Sequence, residues 1–210
     1  MLRYARVSLA ALFVAMTAAA VVFAVKSNYV RKMRQSVAEV VRLRGNVEYR
    51  HQYVDHQFVD ADWPGPRLVR ALVGDDYFAV PLHVDFTGVK TLRDDDIRIV
   101  TNLPELEMLS LAYTPLTDSG LAIAGGMPRL KALGLDGTSI TPEGLRSIAN
   151  ATKTLEELTI SNTVLADEVI PILESLPRLR YVDISNTRMT ANGITALRQR
   201  RPELQVEGSW

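Results

Sequence analysis

The side chains best suited to metal chemistry lie in one short cluster. His51, Asp55 and His56 are residue types that commonly bind transition metals. In an extended strand, however, His51 and His56 are separated by an odd number of positions and point to opposite faces. This geometry argues against a shared ion, so no metal site is predicted there.

A second cluster, Asp94-Asp95-Asp96, offers the oxygen ligands that hard cations prefer. Its position corresponds to that of Asp118, which also stands where a helix is expected to begin. A carboxylate in the first turn of a helix interacts favourably with the helix dipole. We therefore prefer a helix-stabilising role for this cluster to a cation site.

Other patterns typical of catalysis are missing from the sequence. The chain has no cysteine, which excludes a disulfide framework, a thiolate metal site and a cysteine nucleophile. Serine, histidine and acid do not occur in a recognisable nucleophile arrangement. Gly125-Gly126 stands at a predicted helix end and lacks the lysine of a phosphate-binding loop. We expect no catalysis, no cofactor, no metal and no small-molecule substrate.

The distribution of charge indicates a membrane and argues against nucleic acid as the partner. The 210-residue chain has a net charge of zero and is 47% hydrophobic, enough for a packed core. Residues 1–44 nevertheless contain eight basic side chains and only one acidic side chain, Glu39. This basic region coincides with an apolar segment, a combination typical of membrane association.

The apolar segment, residues 7–25, has nineteen positions without a charge. As a helix it would extend roughly 28 Å at ~1.5 Å per residue, close to the ~30 Å hydrocarbon core. We predict a retained single-pass transmembrane helix after a basic tail at residues 1–6. A cleaved signal peptide, with Ala24 before the cut, is the alternative. Positive charge after the segment favours a cytoplasmic domain, whereas the short basic tail favours export, so the side of the membrane stays open.

Residues 26–44 continue in a helical pattern as a basic stalk. Met33, Val37, Val40 and Val41 line one face, and Gly45 follows where helices commonly end. We favour a stalk that docks on the following domain. The alternative is a helix lying on the lipid surface, with its basic residues facing phosphates.

Residues 45–80 form a linking module ahead of the main domain. Alternation of Val47, Tyr49, His51 and Tyr53 with polar residues predicts a short strand. Pro66 is well placed to open a helix that stops at Gly74. We expect this short helix to cover the apolar edge of the domain that follows.

Internal repetition dominates the rest of the sequence. The pattern of Leu106, Leu109, Leu111 and Thr114 occurs in four copies, whose threonines are spaced 24, 25 and 24 residues apart. The later copies are Leu130, Leu133, Leu135 and Thr138; Leu155, Leu158, Ile160 and Thr163; and Leu179, Val182, Ile184 and Thr187. An imperfect earlier copy surrounds Val84-Asp85-Phe86, and a partial strand follows at Leu204-Gln205-Val206.

These copies resemble the leucine-rich-repeat family, whose pattern L-x-x-L-x-L-x-x-N/C-x-L recurs every ~20–29 residues. The resemblance covers about residues 81–206, with threonine at the Asn/Cys position. It implies an α/β fold, a right-handed βα solenoid of about five repeats over residues 81–210, with a parallel sheet on its concave side. Together with Gly45, Val47 and Tyr49, the layout also resembles bacterial single-pass membrane proteins, which implies a bacterial cell membrane.

Each copy also carries signals for its helix. Thr117, Thr141 and Thr190 precede helical segments and are expected to cap them. The third copy has Ala166 at this position, so Asp167 is expected to take the cap one residue later. The threonine after each strand is expected to face inward and bond the backbone of the turn.

In the leucine-rich-repeat family, the strand residues between the buried leucines face the concave surface and usually contact the partner. By this register the concave positions are His83, Asp85, Thr87, Met108, Ser110, Ala112, Ala132, Gly134, Asp136, Glu157, Thr159, Ser161, Tyr181, Asp183 and Ser185. The candidate partner-binding residues are Asp85, Met108, Ser110, Asp136, Glu157, Thr159, Tyr181 and Asp183. The recurring acids fit a shallow groove for a basic segment of another protein.

A solvated sheet face that binds nothing is the alternative, because aromatic and arginine anchors are few. The functional prediction is a membrane-anchored, non-catalytic protein-interaction module. Its alternatives are a structural envelope component without a groove ligand, and an exported soluble binding protein if the apolar segment is cleaved.

Overall fold

The computed structural model describes residues 9–54, 57–59 and 61–208. The expected basic tail, the first two residues of the expected membrane span, and two candidate metal ligands, Asp55 and His56, lie outside the described residues.

Helices and strands alternate along most of the chain. The helices are α1 Leu9–Arg42, α2 Arg67–Val73, α3 Asp118–Gly125, α4 Pro142–Ala151, α5 Ile170–Ser175 and α6 Ala191–Arg200. The strands are β1 Asn46–Tyr49, β2 Tyr53–Val54, β3 Gln57–Phe58, β4 Pro81–Asp85, β5 Met108–Ser110, β6 Ala132–Gly134, β7 Glu157–Thr159, β8 Tyr181–Asp183 and β9 Gln205–Glu207. Short 3₁₀ helices occupy Arg50–Gln52, Asp75–Tyr77, Asp94–Asn102 and Asp167–Val169.

Seven strands form one sheet in the order β1-β4-β5-β6-β7-β8-β9. All neighbours from β4 to β9 are parallel, and β1 joins β4 antiparallel. Each parallel crossover runs through a helical segment, as parallel strands require. The predicted leucine-rich-repeat solenoid is therefore confirmed, including the imperfect first copy at β4 and the terminal strand β9.

The core lies between the sheet and the helices. Leu109, Leu133, Leu158 and Val182 pair across neighbouring strands and are buried. Eight helix residues on the other side of the core are buried as well: Leu121, Ala124, Leu145, Ile148, Ile170, Leu173, Ile194 and Leu197. The strand and the helix of each repeat therefore share one core.

The second half of α1 covers the N-terminal end of the solenoid. Met33 and Val40 are fully buried, and α1 contacts β1 and the 3₁₀ helix Asp94–Asn102. Docking of the predicted stalk is confirmed, although Val41 is exposed. Gly45 is needed here for close approach, because a Cβ would overlap the ring of Phe86.

The helix predicted to cover the first repeat does form, but it lies elsewhere. Pro66 and Gly74 flank α2 as expected. Leu68 and Leu72 of this helix are exposed, so the prediction that it covers the apolar edge was wrong. The edge is covered by α1 and β1, whose long helix and added strand supply the needed apolar surface.

A column of threonines holds the turn after each strand. Thr114, Thr138, Thr163 and Thr187 each donate a hydroxyl hydrogen bond to the carbonyl three residues earlier, at 2.6–2.7 Å. The predicted inward orientation is confirmed, and the first three are buried. Their partner is a backbone carbonyl, so each hydroxyl acts as a donor in the turn.

A recurring group of aspartate, threonine and glycine joins the helix starts of neighbouring repeats. Asp118 accepts hydrogen bonds from the backbone N–H of Thr141 at 2.9 Å and from its hydroxyl at 2.6 Å. Thr141 in turn caps α4 by accepting from Glu143 N–H. Gly144 leaves room, since a Cβ there would overlap the Asp118 carboxylate. We call this group the Asp-Thr-Gly triplet; its other copies are Asp94, Thr117 and Gly120, and Asp167, Thr190 and Gly193.

One repeat boundary lacks all three members of the triplet. Pro142, Ala166 and Val169 stand at the aspartate, threonine and glycine positions. Where the carboxylate is missing, no threonine is needed to bond it and no glycine is needed to leave room for it. Val169, at the glycine position, is a buried side chain. Asp167 was predicted to cap its own helix, which is wrong. Its carboxylate binds Thr190 of the next repeat instead, and Ala166 provides no side-chain cap.

The threonine column predicts a measurable loss of stability in Thr138→Val. Valine keeps the shape but removes the 2.6 Å hydroxyl hydrogen bond, so the Leu135 carbonyl in this buried turn keeps only the backbone N–H of residue 138, at 3.2 Å. We expect the free energy of unfolding to fall by ~1 kcal/mol, the net contribution of one hydrogen bond within the protein. The measurement is urea unfolding of the full chain in detergent micelles, followed by circular dichroism.

Thr101→Val is the matched control. Its hydroxyl also bonds the carbonyl three residues earlier, at 2.7 Å, but in an exposed position. Water can replace that bond, so a cost of ~0.5 kcal/mol or less is expected. Equal effects of the two substitutions would contradict a buried role for Thr138.

Candidate functional site

The concave face consists of three rows of side chains that run across the strands. The sheet register places them as His83, Met108, Ala132, Glu157, Tyr181 and Gln205; then Asp85, Ser110, Gly134, Thr159, Asp183 and Glu207; then, just past the strands, Thr87, Ala112, Asp136, Ser161 and Ser185. Strand β1 extends the first two rows with Glu48 and Asn46. All eight candidate residues therefore lie on one face, and Glu48 and Glu207 are additional acids.

The acidic residues of this face differ in how many hydrogen bonds their carboxylates accept from the protein itself. Asp136 accepts hydrogen bonds from the Thr159 hydroxyl and, at 2.8 and 2.6 Å, from the N–H and hydroxyl of Ser161. Asp85 and Asp183 each accept one backbone N–H, from Thr87 at 2.7 Å and Ser185 at 2.8 Å. Asp136 is thus a structural acceptor, and the other two keep oxygen atoms available.

Glu157 is exposed and makes no side-chain hydrogen bond or ion pair to the part of the chain that the structure describes. It stands at a depression of about 160 Å³ on the sheet, where Ala132 and Gly134 form a low floor beside Met108 and Thr159. This volume is well below the ~300 Å³ of typical small-molecule pockets. The depression is large enough for one side chain of a partner.

A second depression, of about 490 Å³, opens at the edge where the strands begin and shares Met108, Ala132 and Glu157 with the first. Glu107 in its wall pairs with Arg50 at 2.7 Å and Lys131 at 2.8 Å. Burial opposes ionisation of Glu107, but the hydrogen bonds and charges of these two cations hold its pKa below the ordinary value. One carboxylate is therefore shared by two cations at this edge, outside the three rows of the concave face.

Tyr181 is an aromatic side chain on the strand portion of the face. Its hydroxyl donates to Glu207 at 2.5 Å, and this hydrogen bond, followed by desolvation, raises the pKa of Tyr181 far above its usual value. The phenol therefore stays neutral at physiological pH. It can stack on a partner, but it supplies neither a base nor a nucleophile.

Tyr113 is a rim residue that sequence reasoning missed. It is 44% exposed and follows Ala112 at the end of a row, in a left-handed conformation with φ of 56°. The equivalent positions hold residues that tolerate this conformation: Gly88, Gly137, Asn162 and Asn186. A tyrosine at a position that is otherwise glycine or asparagine was the signal in the sequence that could have identified this residue.

The rim side chains are joined to the concave face by hydrogen bonds. Asn186 donates to Asn162 at 2.8 Å, and Asn162 donates to the Tyr113 hydroxyl at 3.0 Å. Asn162 also donates to the Ser161 hydroxyl oxygen at 3.1 Å, and that hydroxyl donates to Asp136. The Tyr113 ring also lies over Gly137, where a Cβ would overlap it. This network fixes an exposed aromatic ring beside an acidic face.

The described residues that were considered for metal binding make other contacts. His51 packs between Tyr49 and Trp63, with ring centroids 5.9 and 5.0 Å away, and burial lowers its pKa. Asp94 belongs to an Asp-Thr-Gly triplet, and Asp95 pairs with Arg98 at 3.2 Å. Within residues 9–54, 57–59 and 61–208, no group of three potential ligands is arranged for a metal ion.

No protein-family model and no curated protein matches the sequence. Among solved structures, actin-binding site 2 of leiomodin-1 is similar with 17% identity and a TM-score of 0.45, covering 58% of this chain and 80% of that one. The tropomodulin C-terminal domain of Caenorhabditis elegans gives 23% identity, a TM-score of 0.45, and coverages of 58% and 84%. A leucine-rich-repeat protein of Leptospira interrogans has 20% sequence identity and a TM-score of 0.37, and the match covers 52% of this chain and 33% of that one. The fold assignment rests on the strand register and buried columns of this chain itself.

The left-handed conformation of Tyr113 predicts that Tyr113→Asn is more stable than Tyr113→Ala by ~1 kcal/mol. Both variants lose the ring and its hydrogen bond, but asparagine tolerates a positive φ better than alanine does. The free energy of unfolding of the full chain in micelles is the measurement. The same two substitutions at Tyr181, in extended strand β8, serve as the control. If the Asn and Ala variants at position 113 were equally stable, the rim geometry described above would be wrong.

Proposed function

We propose that this chain is a membrane-anchored, non-catalytic protein-interaction module whose concave face binds a basic segment of another protein. The observation that carries the proposal is the charge of that face. Glu48, Asp85, Asp136, Glu157, Asp183 and Glu207 lie in its rows, which contain no lysine or arginine. Such a surface attracts cationic partners and repels anionic ones.

Glu157 is the best-placed acid for direct contact. It combines exposure, freedom from described partners and a position at both depressions. We assign the depression floored by Ala132 and Gly134 to one partner side chain. Tyr181 and Tyr113 supply the aromatic contacts that binding hot spots commonly need. Asp136 contributes negative potential and holds Thr159 and Ser161 in place.

A non-catalytic role fits the chemistry of the described residues. His83 pairs with Glu48 at 3.0 Å, and no serine or threonine hydroxyl among the described residues hydrogen-bonds a histidine. The depressions are shallow and open to water, whereas catalysis benefits from a site that excludes it. We therefore assign the face to binding.

Helix α1 supports the proposed anchor. Ala10–Arg42 includes a stretch long and apolar enough to cross a membrane, and that stretch is not buried against the domain. Phe13, Val14 and Val22 are exposed, a large apolar surface that lipid would cover. Phe23 stacks on Tyr77 with ring centroids 6.1 Å apart, a contact that cleavage after Ala24 would remove. We favour a retained single-pass anchor in a bacterial cell membrane over a signal peptide.

The anchor predicts tight membrane association. The full-length protein should sediment with membranes and resist extraction by carbonate or high salt, because the apolar segment lies in the bilayer core. Its intact mass should include the first 25 residues. A soluble mature chain that begins near Val25 would instead identify an exported binding protein.

The binding face predicts that Glu157→Gln weakens capture of a biotinylated peptide rich in lysine and arginine by the full chain in micelles. Loss of one exposed ion pair removes ~0.2–1 kcal/mol, up to about a five-fold change in affinity. The salt dependence of binding should decrease as well. Asp183→Asn should act in the same direction.

Glu168→Gln is the matched control, because Glu168 is exposed in the 3₁₀ helix Asp167–Val169, outside the concave rows. It makes the same change of charge without altering the face. Equal loss in this control, or no loss in Glu157→Gln, would favour a structural envelope component whose sheet face has no ligand.

A further inference from the structure

Helix α2 carries a row of apolar side chains that nothing in the described protein covers. Leu68, Val69 and Leu72 are 85%, 41% and 87% exposed. Their spacing places them on one face of the helix. Two exposed leucines one turn apart, beside a third apolar residue, are a surface that needs an apolar partner.

The position of α2 is fixed relative to the proposed membrane anchor. Arg34 of α1 pairs with Asp76 at 2.8 Å and donates to the Val73 carbonyl at 3.4 Å. Tyr77, just beyond α2, stacks on Phe23 in the last turn of the apolar segment. Leu72 lines a crevice of about 440 Å³ together with Phe23 and Arg31. The exposed face therefore lies beside the point where α1 would leave the hydrocarbon.

Cationic side chains surround this point. Lys26 lies over the rings of Tyr29 and Tyr77, at 5.1 and 5.7 Å from their centroids. Arg31, Lys32 and Arg67 are exposed on α1 and α2. Two acids beside α2 are already paired, Asp75 with Arg70 at 3.3 Å and Asp76 with Arg34. The excess positive charge is complementary to anionic lipid headgroups.

We infer that α2 is a second membrane contact, lying in the interface with Leu68, Val69 and Leu72 at the acyl boundary and Lys26, Lys32 and Arg67 near lipid phosphates. This inference rests on the proposed anchor, since α1 brings α2 to the bilayer. A bilayer is the occupant because the exposed face continues the apolar surface of α1 and is flanked by cations that form no ion pair within the described part of the chain. Apolar residues on one face and basic residues around it are typical of interfacial helices. Two contacts, a span and a surface helix, then hold the solenoid at a fixed orientation to the membrane.

The absence of cysteine from the sequence permits a direct test with single labels. Leu68→Cys and Leu72→Cys are labelled with the environment-sensitive fluorophore NBD in the full chain. Each is reconstituted into nanodiscs of phosphatidylcholine and phosphatidylglycerol that carry a doxyl quencher near the headgroup. The expected result is blue-shifted emission and quenching several-fold stronger than at Val164→Cys, an exposed apolar control on a distant repeat. Nanodiscs of phosphatidylcholine alone should reduce the quenching at both α2 positions.

Val14→Cys, with a deep acyl-chain quencher, separates the two proposals. Quenching at Val14 with no quenching at Leu68 and Leu72 overturns the α2 contact and keeps the anchor. Absence of quenching at Val14 overturns the anchor itself. Equal quenching at the α2 positions with and without phosphatidylglycerol overturns the assignment of the cations to anionic lipid.

Discussion

The parallel hydrogen-bonded ladder that joins each strand to the next is the interaction on which the remaining features depend. Leu109 pairs with Leu133, Leu133 with Leu158, and Leu158 with Val182, so that all these repeats share a single register. That register aligns the buried leucines, the threonine turns and the concave rows at once. A shift of one residue would turn every buried side chain of a strand to the opposite face. The positions of the candidate binding residues therefore follow from the backbone.

The repeat pattern was sufficient to predict the solenoid, its register and the inward threonines, because these depend on positions that recur within every copy. The wrong predictions concern contacts between units. Asp167 serves the next repeat and not its own helix, and α2 does not cover the first repeat. The hydrogen bond from Ser161 to Asp136 also crosses a repeat boundary and was not predicted. Tyr113 and α2 depart from the pattern, so the regular positions carry no information about them. Whether the concave face binds a partner depends on chemistry outside the chain.

Helix α1 couples the apolar N-terminal segment to the folding of the domain. Its second half buries Met33 and Val40 against the first repeat, where Gly45 allows the chain to pass close to Phe86. In a stack of repeats each unit is stabilised mainly by its neighbours, so an uncovered terminal repeat is the weakest. The helix that forms the proposed anchor thus also completes the core. A substitution at Met33 is therefore expected to weaken both the packing of α1 and the core of the first repeat.

The Asp-Thr-Gly triplet restricts the order in which these repeats can follow one another. The Thr141 repeat receives a carboxylate from the repeat before it, but Pro142 gives none to the repeat after it. Tandem duplication of that repeat alone would place a second threonine beside proline, without the carboxylate that Thr141 receives from the preceding repeat. Duplication together with the following repeat preserves every contact, because Asp167 would then face the second Thr141. In this part of the chain, duplication in pairs of repeats is therefore the form of growth that keeps the triplet intact.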